Sequence, residues 1–196
     1  MKNDWGNVAG VLKKDAVVVI PTDTIYGLVC SAYSKKAVER VYKIKGRDEG
    51  KACIVLVNSF ENLKKFGVQL GEEGQKFLRN FWPGKLSVIL PIEDKKILKD
   101  LKYLHRGLGT IAFRMIPKRN KNLFNLIQTV GPLLAPSANP QGMPHAKKRS
   151  EAKKYFGTSV DCYICVGTRD AKPSTLVEYK NNKFNVLRQG GVKITF

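Results

Sequence analysis

Residues Ala16-Val17-Val18-Val19-Ile20 form an uninterrupted apolar run, and four of these five are β-branched. Branching at Cβ restricts χ1 and favours extended backbone. A run with no polar member has no face to show to water, so it predicts a strand covered on both sides. Pro21 ends it. A sheet that must be covered twice needs helices above and below, and the rest of the chain supplies them.

Asn7 to Asp15 reads as a first helix. Ser34 is an N-cap for a helix whose apolar spacing (Ala37, Val38, Val41, Tyr42, Ile44) ends at Gly46. Cys53 to Val57 reads as a second buried strand, Ser59 as the cap of a helix over Phe60 to Phe66, and Gly71 to Phe81 as a further helix. Trp82-Pro83-Gly84 is a turn, Leu86 to Pro91 a strand, and Asp94 to Arg106 a Lys-rich amphipathic stretch. Thr110 to Ile116 is a strand, Lys121 to Val130 a helix and Leu133 to Ala135 a short strand. Gly142 to His145 is loop, and Ser150 is placed as the cap of Glu151 to Phe156. The tail reads as strands over 161–166, 174–179 and 183–188, the last two joined by Asn181-Asn182. Helices alternate with strands early and strands cluster late. This predicts an α/β chain: a single domain over residues 1–196, with a twisted mixed β-sheet and flanking helices.

Composition sets outer limits. The chain has 196 residues, 43% of them hydrophobic, which is enough for one large core. No apolar run is long enough for a membrane span. Met1 to Gly6 lacks the layout of an export signal, so a cytoplasmic protein with reduced thiols is expected. Of the four cysteines, Cys162 and Cys165 form a lone C-x-x-C in an apolar run and read as buried small hydrophobes. The 35 Lys+Arg against 16 Asp+Glu give a net charge of +19, a field that gathers nucleotides, RNA or anionic lipid.

Five segments carry chemistry. Pro21-Thr22-Asp23-Thr24-Ile25-Tyr26-Gly27-Leu28 follows the first strand and reads as a polar loop at a strand's carboxyl end, where open α/β sheets bind ligands. In Lys43-Ile44-Lys45-Gly46-Arg47 two cations straddle a glycine and suit phosphates, with Lys51 close behind. Strand alternation puts Thr110, Ala112 and Arg114 on one face, and a buried Arg114 demands an anion from the protein or from a substrate. Ala135-Pro136-Ser137-Ala138-Asn139 leads small polar groups out of a short strand. Pro173-Ser174-Thr175 and Leu187-Arg188-Gln189-Gly190 place another serine and another arginine at strand ends. There is no phosphate-loop signature, no dinucleotide glycine fingerprint and no histidine pair with metal spacing. His105 and His145 read as isolated surface residues. Arginines, a lysine and hydroxyls without a strong base suit a charged phosphoryl transition state better than proton abstraction.

At these segments the sequence resembles the YrdC-like family of threonylcarbamoyl-adenylate synthases, in its short single-domain form. The resemblance is carried, in order, by PTDTIYGL at 21–28, KIKGR at 43–47, WPGKLSVIL at 82–90, TIAFRMIP at 110–117, APSANPQG at 135–142, PSTLVE at 173–178 and VLRQGG at 186–191. It implies that L-threonine, bicarbonate and ATP are converted to threonylcarbamoyl-AMP and pyrophosphate. A partner transferase complex then uses the product to modify tRNA. It implies that Lys45 and Arg47 are catalytic and bind ATP phosphates. Thr24, Arg114 and Ser174 would bind L-threonine. Lys51, Thr110, Ala135, Ser137, Asn139 and Arg188 would complete the ATP site, with Mg2+ accompanying ATP and no protein metal ligand named. The sequence departs from the family pattern at Asp48, at Val29-Cys30, at Leu56 and at His145. The alternative is an RNA-binding member of the same fold with little or no synthase activity, motivated by the basic clusters at 118–121, 147–149 and 153–154. A related carbamoyl-adenylate enzyme with a different acceptor is a third reading.

Overall fold

The computed structural model describes residues 5–48 and 50–194; Met1 to Asp4, used above for the export reading, lie outside them. The order of elements is α1 (Trp5–Leu12), β1 (Val18–Pro21), β2 (Tyr26–Ser31), α2 (Lys35–Lys45), β3 (Ile54–Val57), α3 (Phe60–Lys65), α4 (Glu72–Phe81), β4 (Leu86–Pro91), α5 (Lys95–Asp100) and α6 (Lys102–His105). There follow β5 (Thr110–Met115), α7 (Lys121–Val130), β6 (Leu133–Leu134), α8 (Arg149–Phe156), β7 (Cys162–Tyr163), β8 (Thr175–Lys180) and β9 (Lys183–Arg188). The strands form one mixed sheet in the order β7-β1-β2-β6-β3-β5-β4-β8-β9. β1 with β7, β3 with β5, and β4 with β8 are parallel; the other neighbours are antiparallel.

The sheet is covered on both faces, as the Val-rich run requires. Val17 and Val19 belong to the larger core, with Tyr26, Leu28, Val55, Val57 and residues of α2, α3 and α4. Val18 and Ile20 point the other way, into a second core with Val29, Leu56 and the inner faces of α1 and α7. All four are fully buried. The period-two alternation of side chains along a strand divides one apolar run between two cores.

α2 begins where the sequence places it: Ser34 accepts a hydrogen bond from the Ala37 N–H, and Gly46 closes the helix in a left-handed conformation (φ 57°). Ser59 likewise caps α3. Several expectations are corrected. The segment read as a loop over 21–28 is a β-hairpin, with Val18 to Pro21 paired to Tyr26 to Val29 around a turn at Thr22 to Ile25. Its second strand, β2, is apolar from Tyr26 to Cys30 but is screened in the sequence by the polar residues before it. α1 ends at Leu12, and Asp15 takes a positive φ, which a short polar side chain tolerates. α8 starts at Arg149 after Lys148 without a side-chain cap, so Ser150 lies within the helix. The Lys-rich stretch is two short helices, α5 and α6. β7 spans two residues rather than six, and Cys162 and Cys165 are half-buried. His105 is buried, not superficial: Nε2 lies 2.8 Å from the Leu98 carbonyl, and Nδ1 accepts from the Gly107 and Gly109 N–H groups. That pattern requires a neutral ring with the proton on Nε2, and it ties the turn between α6 and β5. Among the described residues no helix is long and apolar enough to cross a membrane.

Candidate active site

A pocket of about 270 Å³ opens where several strands end. Thr22 and Thr24 reach it from the β1–β2 turn, Arg114 from the end of β5, and Ala135, Ser137 and Asn139 from the segment leaving β6. Ser174 enters just before β8 and Arg188 from the end of β9. Ile54 lies beside Ala112 in the β3–β5 register, and Leu56 and Ser87 flank Arg114. Register neighbours share a face, so these side chains and the pocket lie on the side of the sheet that carries the second core.

Each wall is held by its own bonding. The Thr22 hydroxyl donates to the Ile25 carbonyl at 2.7 Å and accepts from the Thr24 N–H, closing the hairpin turn. The 135–139 segment runs antiparallel beside β2, with Leu28 N–H donating to Pro136 O and Ala138 N–H to Tyr26 O. Gly27 faces Ser137 there, and a Cβ at Gly27 would stand 3.1 Å from Thr22 Cγ2, so a small residue keeps hairpin and segment together. Behind the segment, Lys45 is buried and its ammonium donates to Ser137 O at 2.7 Å, Asn139 O at 2.6 Å and Asn139 Oδ1 at 3.1 Å. Burial, and secondarily the charge of Arg47, push the Lys45 pKa down to about 8. Ser87 and Ser174, both buried, share a hydrogen bond of 2.8 Å between β4 and the start of β8.

Arg114 has the protein anion that its burial demands. Its Nη2 lies 2.9 Å from Asp23 Oδ1, with both side chains buried. The contact is one of charge: neither Asp23 oxygen accepts an aligned hydrogen bond, and Arg114 Nε donates to nothing. Arg188 stands at the rim, where Nη2 donates to Ser174 O at 3.0 Å. Partial desolvation, and secondarily the Arg114 charge, lower the Arg188 pKa. The two guanidiniums therefore feel one another across the same pocket, and Arg188 is the one with no carboxylate beside it among the described ion pairs.

Of the residues singled out in the sequence, Thr24, Arg114, Ala135, Ser137, Asn139, Ser174 and Arg188 line this pocket. Lys45 backs its wall. Arg47 turns into its own loop, donating from Nε to Lys51 O and from Nη2 to Ala52 O. Lys51 is exposed beside Asp48, 3.5 Å away. Thr110 begins β5, at the other end of the strand from Arg114, and is not among the lining residues. His145, read as superficial, lines the pocket, and its Nε2 is buried without a hydrogen-bond partner. Ile54, at the start of β3, and Met143 and Pro144, in a loop, also line it and were not anticipated; apolar and proline side chains carry no chemical signal. Among the described residues, no group of three or more His, Cys, Asp or Glu could hold a metal ion.

Residues 10–190 match the Sua5/YciO/YrdC family model, described as "Telomere recombination". The chain belongs to this family. Its relatives include the threonylcarbamoyl-AMP synthase of Pyrococcus abyssi, 31% identical over 95% of this chain and 54% of that protein. A putative threonylcarbamoyl-AMP synthase of Mycobacterium tuberculosis is 30% identical over 95% of this chain and 83% of that protein. The chain thus spans about half the length of the first relative and most of the second. Among solved structures, that of P. abyssi Sua5 complexed with L-threonine superposes with a TM-score of 0.83 at 30% identity, over 95% of this chain and 54% of that one. The mixed sheet with flanking helices is the Sua5/YciO/YrdC fold.

Proposed function

We propose that this Sua5/YciO/YrdC protein is a threonylcarbamoyl-AMP synthase, a nucleotidyltransferase that joins L-threonine, bicarbonate and ATP with loss of pyrophosphate. The observation that carries the reading is the convergence of Arg114, Arg188 and three hydroxyl residues, Thr24, Ser137 and Ser174, on one pocket at the strand ends. Relatives named for this activity and a relative's complex with L-threonine support it.

In this reading Arg114 takes the threonine carboxylate by charge-assisted hydrogen bonds. Thr24 and Ser174 line the same end, and Ala135, Ser137, Asn139 and Arg188 line the nucleotide end. Lys45 braces the 135–139 wall and offers its charge to the phosphates. Arg47 and Lys51 shape the adjoining loop and reach the triphosphate once it is bound, and Thr110 belongs to the nucleotide side. Carboxylation turns the threonine amine into an N-carboxy anion, whose oxygen attacks the α-phosphorus while pyrophosphate leaves. Attacker and leaving group are both anionic, so the protein's task is to gather negative charges and align them. ATP would bring Mg2+ with it, and phosphates and water would be the ion's ligands. Asp23, the carboxylate beside Arg114, is paired with that arginine, and the described residues offer no carboxylate cluster for the ion.

The test is pyrophosphate release by purified protein. Omitting threonine or bicarbonate should abolish it, and serine should not replace threonine. Release independent of threonine contradicts the reading. The product, a mixed anhydride, suits transfer by a partner complex to tRNA.

A second reading, RNA binding, is favoured by one observation. A groove lined by Lys148, Arg149 and Lys153 also includes Gly167, whose carbonyl accepts from the hydroxyl of the pocket residue Tyr26. A polyanion lying there would pass beside the pocket. Its affinity for RNA should fall steeply with salt, and no binding at low salt removes this reading.

A further inference from the structure

We propose that Asp23 makes the Arg114 end of the pocket selective for a zwitterion, an α-amino acid, over a plain carboxylate or a phosphate-bearing anion. The inference rests on the synthase reading and names the residue that sorts its two kinds of substrate.

The two ends of the pocket differ in charge. Arg188 donates to the Ser174 carbonyl, and no carboxylate pairs with it among the described ion pairs. Its end is an uncompensated cation, suited to a polyanion. Arg114 lies 2.9 Å from the carboxylate of Asp23, and neither charge is in water. That end is nearly neutral overall but strongly dipolar. A buried arginine alone would capture any anion, including phosphates of ATP and free bicarbonate. With Asp23 beside it, a second anion meets repulsion from the carboxylate as well as attraction from the guanidinium, and at short range in a sheltered site the two nearly cancel. An amino acid escapes that cancellation. Its carboxylate faces Arg114 while its ammonium is drawn to the negative side of the pair.

The bonding leaves room for such a guest. Both Asp23 oxygens and Arg114 Nε are buried without an aligned hydrogen bond. Buried polar groups are nearly always paired, and a buried ion pair compensates its desolvation only when its remaining donors and acceptors are used. Within the protein the pair therefore keeps unused donor and acceptor capacity. Thr22 and Thr24 line the pocket; Asp23, between them in the turn, is not a lining residue, and its carboxylate acts on the cavity through the lining residue Arg114, 2.9 Å away. The hydroxyl bond from Thr22 to Ile25 O fixes that turn.

The experiment is calorimetric binding of L-threonine, of its 2-hydroxy analogue (2,3-dihydroxybutanoate) and of inorganic pyrophosphate to the wild type and to Asp23→Asn. The wild type should prefer threonine over the hydroxy acid by roughly tenfold or more. In Asp23→Asn that preference should shrink to about threefold or less, and pyrophosphate should bind more tightly. Equal wild-type affinities for threonine and the hydroxy acid overturn the proposal, whatever the variant does. So does a variant that keeps the full preference. A variant that binds neither small ligand yet still binds ATP assigns Asp23 only to holding Arg114, and that too overturns it. Asp23→Ser is read in the same way if the amide variant does not fold. The readout is binding rather than turnover. Threonine binding without pyrophosphate release would therefore contradict the synthase reading while leaving the zwitterion preference measurable on its own.

Discussion

The Lys45 ammonium donates twice to Asn139, to its main-chain oxygen at 2.6 Å and to its side-chain Oδ1 at 3.1 Å. A cation at the end of α2 thus holds the wall that leaves β6, two segments 94 residues apart. Replacing it by Met should leave these acceptors unpaired, at about 1–3 kcal/mol for a buried group. We expect urea unfolding of Lys45→Met to show that loss, and its ATP affinity to fall at least about tenfold. Unchanged ATP affinity would remove Lys45 from the nucleotide site.

The same lysine predicts opposite pH trends for stability and for affinity. Its folded pKa is lowered from 10.5 to about 8. Between those values the unfolded chain holds the extra proton, so this group makes the protein more stable as pH rises across that window. Phosphate attraction depends on the charged form and fades as pH rises through about 8. ATP affinity measured from pH 7 to 9 should decline in the wild type and stay flat in Lys45→Met.

Arg114→Gln removes the cation from a buried ion pair and leaves Asp23 uncompensated. Such losses cost about 3–5 kcal/mol. The threonine KM should rise on the order of a hundredfold, with a much smaller change for ATP. Denaturation and initial-rate kinetics test both parts, and an equal loss for the two substrates would contradict the assignment of Arg114 to one end.

Gly190 lies against the strand start that carries Ser174. A Cβ there would fall 2.5 Å from the Ser174 carbonyl carbon and closer still to Pro173 O, both of them backbone atoms that cannot swing aside. Gly190→Ala should push the end of β9 away and carry Arg188 off the pocket rim. The expected result is a raised ATP KM in a folded protein, whereas Gly10→Ala, in α1 with open space around its Cβ, should leave ATP KM nearly unchanged.

His105 tests stability apart from function. Its ring joins Leu98 O to the N–H groups of Gly107 and Gly109. His105→Ala should cost about 2 kcal/mol by unpairing these groups, with the KM for both substrates unchanged.

What was legible in the sequence follows from how local each cause is. The Val17–Ile20 run, the Ser34 and Gly46 caps of α2 and the alternation that buries Arg114 depend on near neighbours, and they stand in the structure as read. β2 was not legible, because Thr22, Asp23 and Thr24 look like a loop until Gly27 is seen to pack against Ser137, 110 positions later. The partner of Arg114 was open between protein and substrate; only the fold brings Asp23 to it. His145 reaches the pocket only through the fold, whereas His105 is held by near neighbours, Leu98, Gly107 and Gly109, through backbone groups that leave no side-chain signal in the sequence. Arg47 and Lys51 sit together as expected, but their loop geometry turns Arg47 onto carbonyls of its own segment.

The most direct test of the central claim is the fate of isotope-labelled bicarbonate. Incubated with the protein, ATP and L-threonine, the label should appear in one compound that also contains threonine and AMP, released together with pyrophosphate and absent from Arg114→Gln. Pyrophosphate formed while the label stays in bicarbonate, or a labelled adenylate lacking threonine, would contradict the assignment.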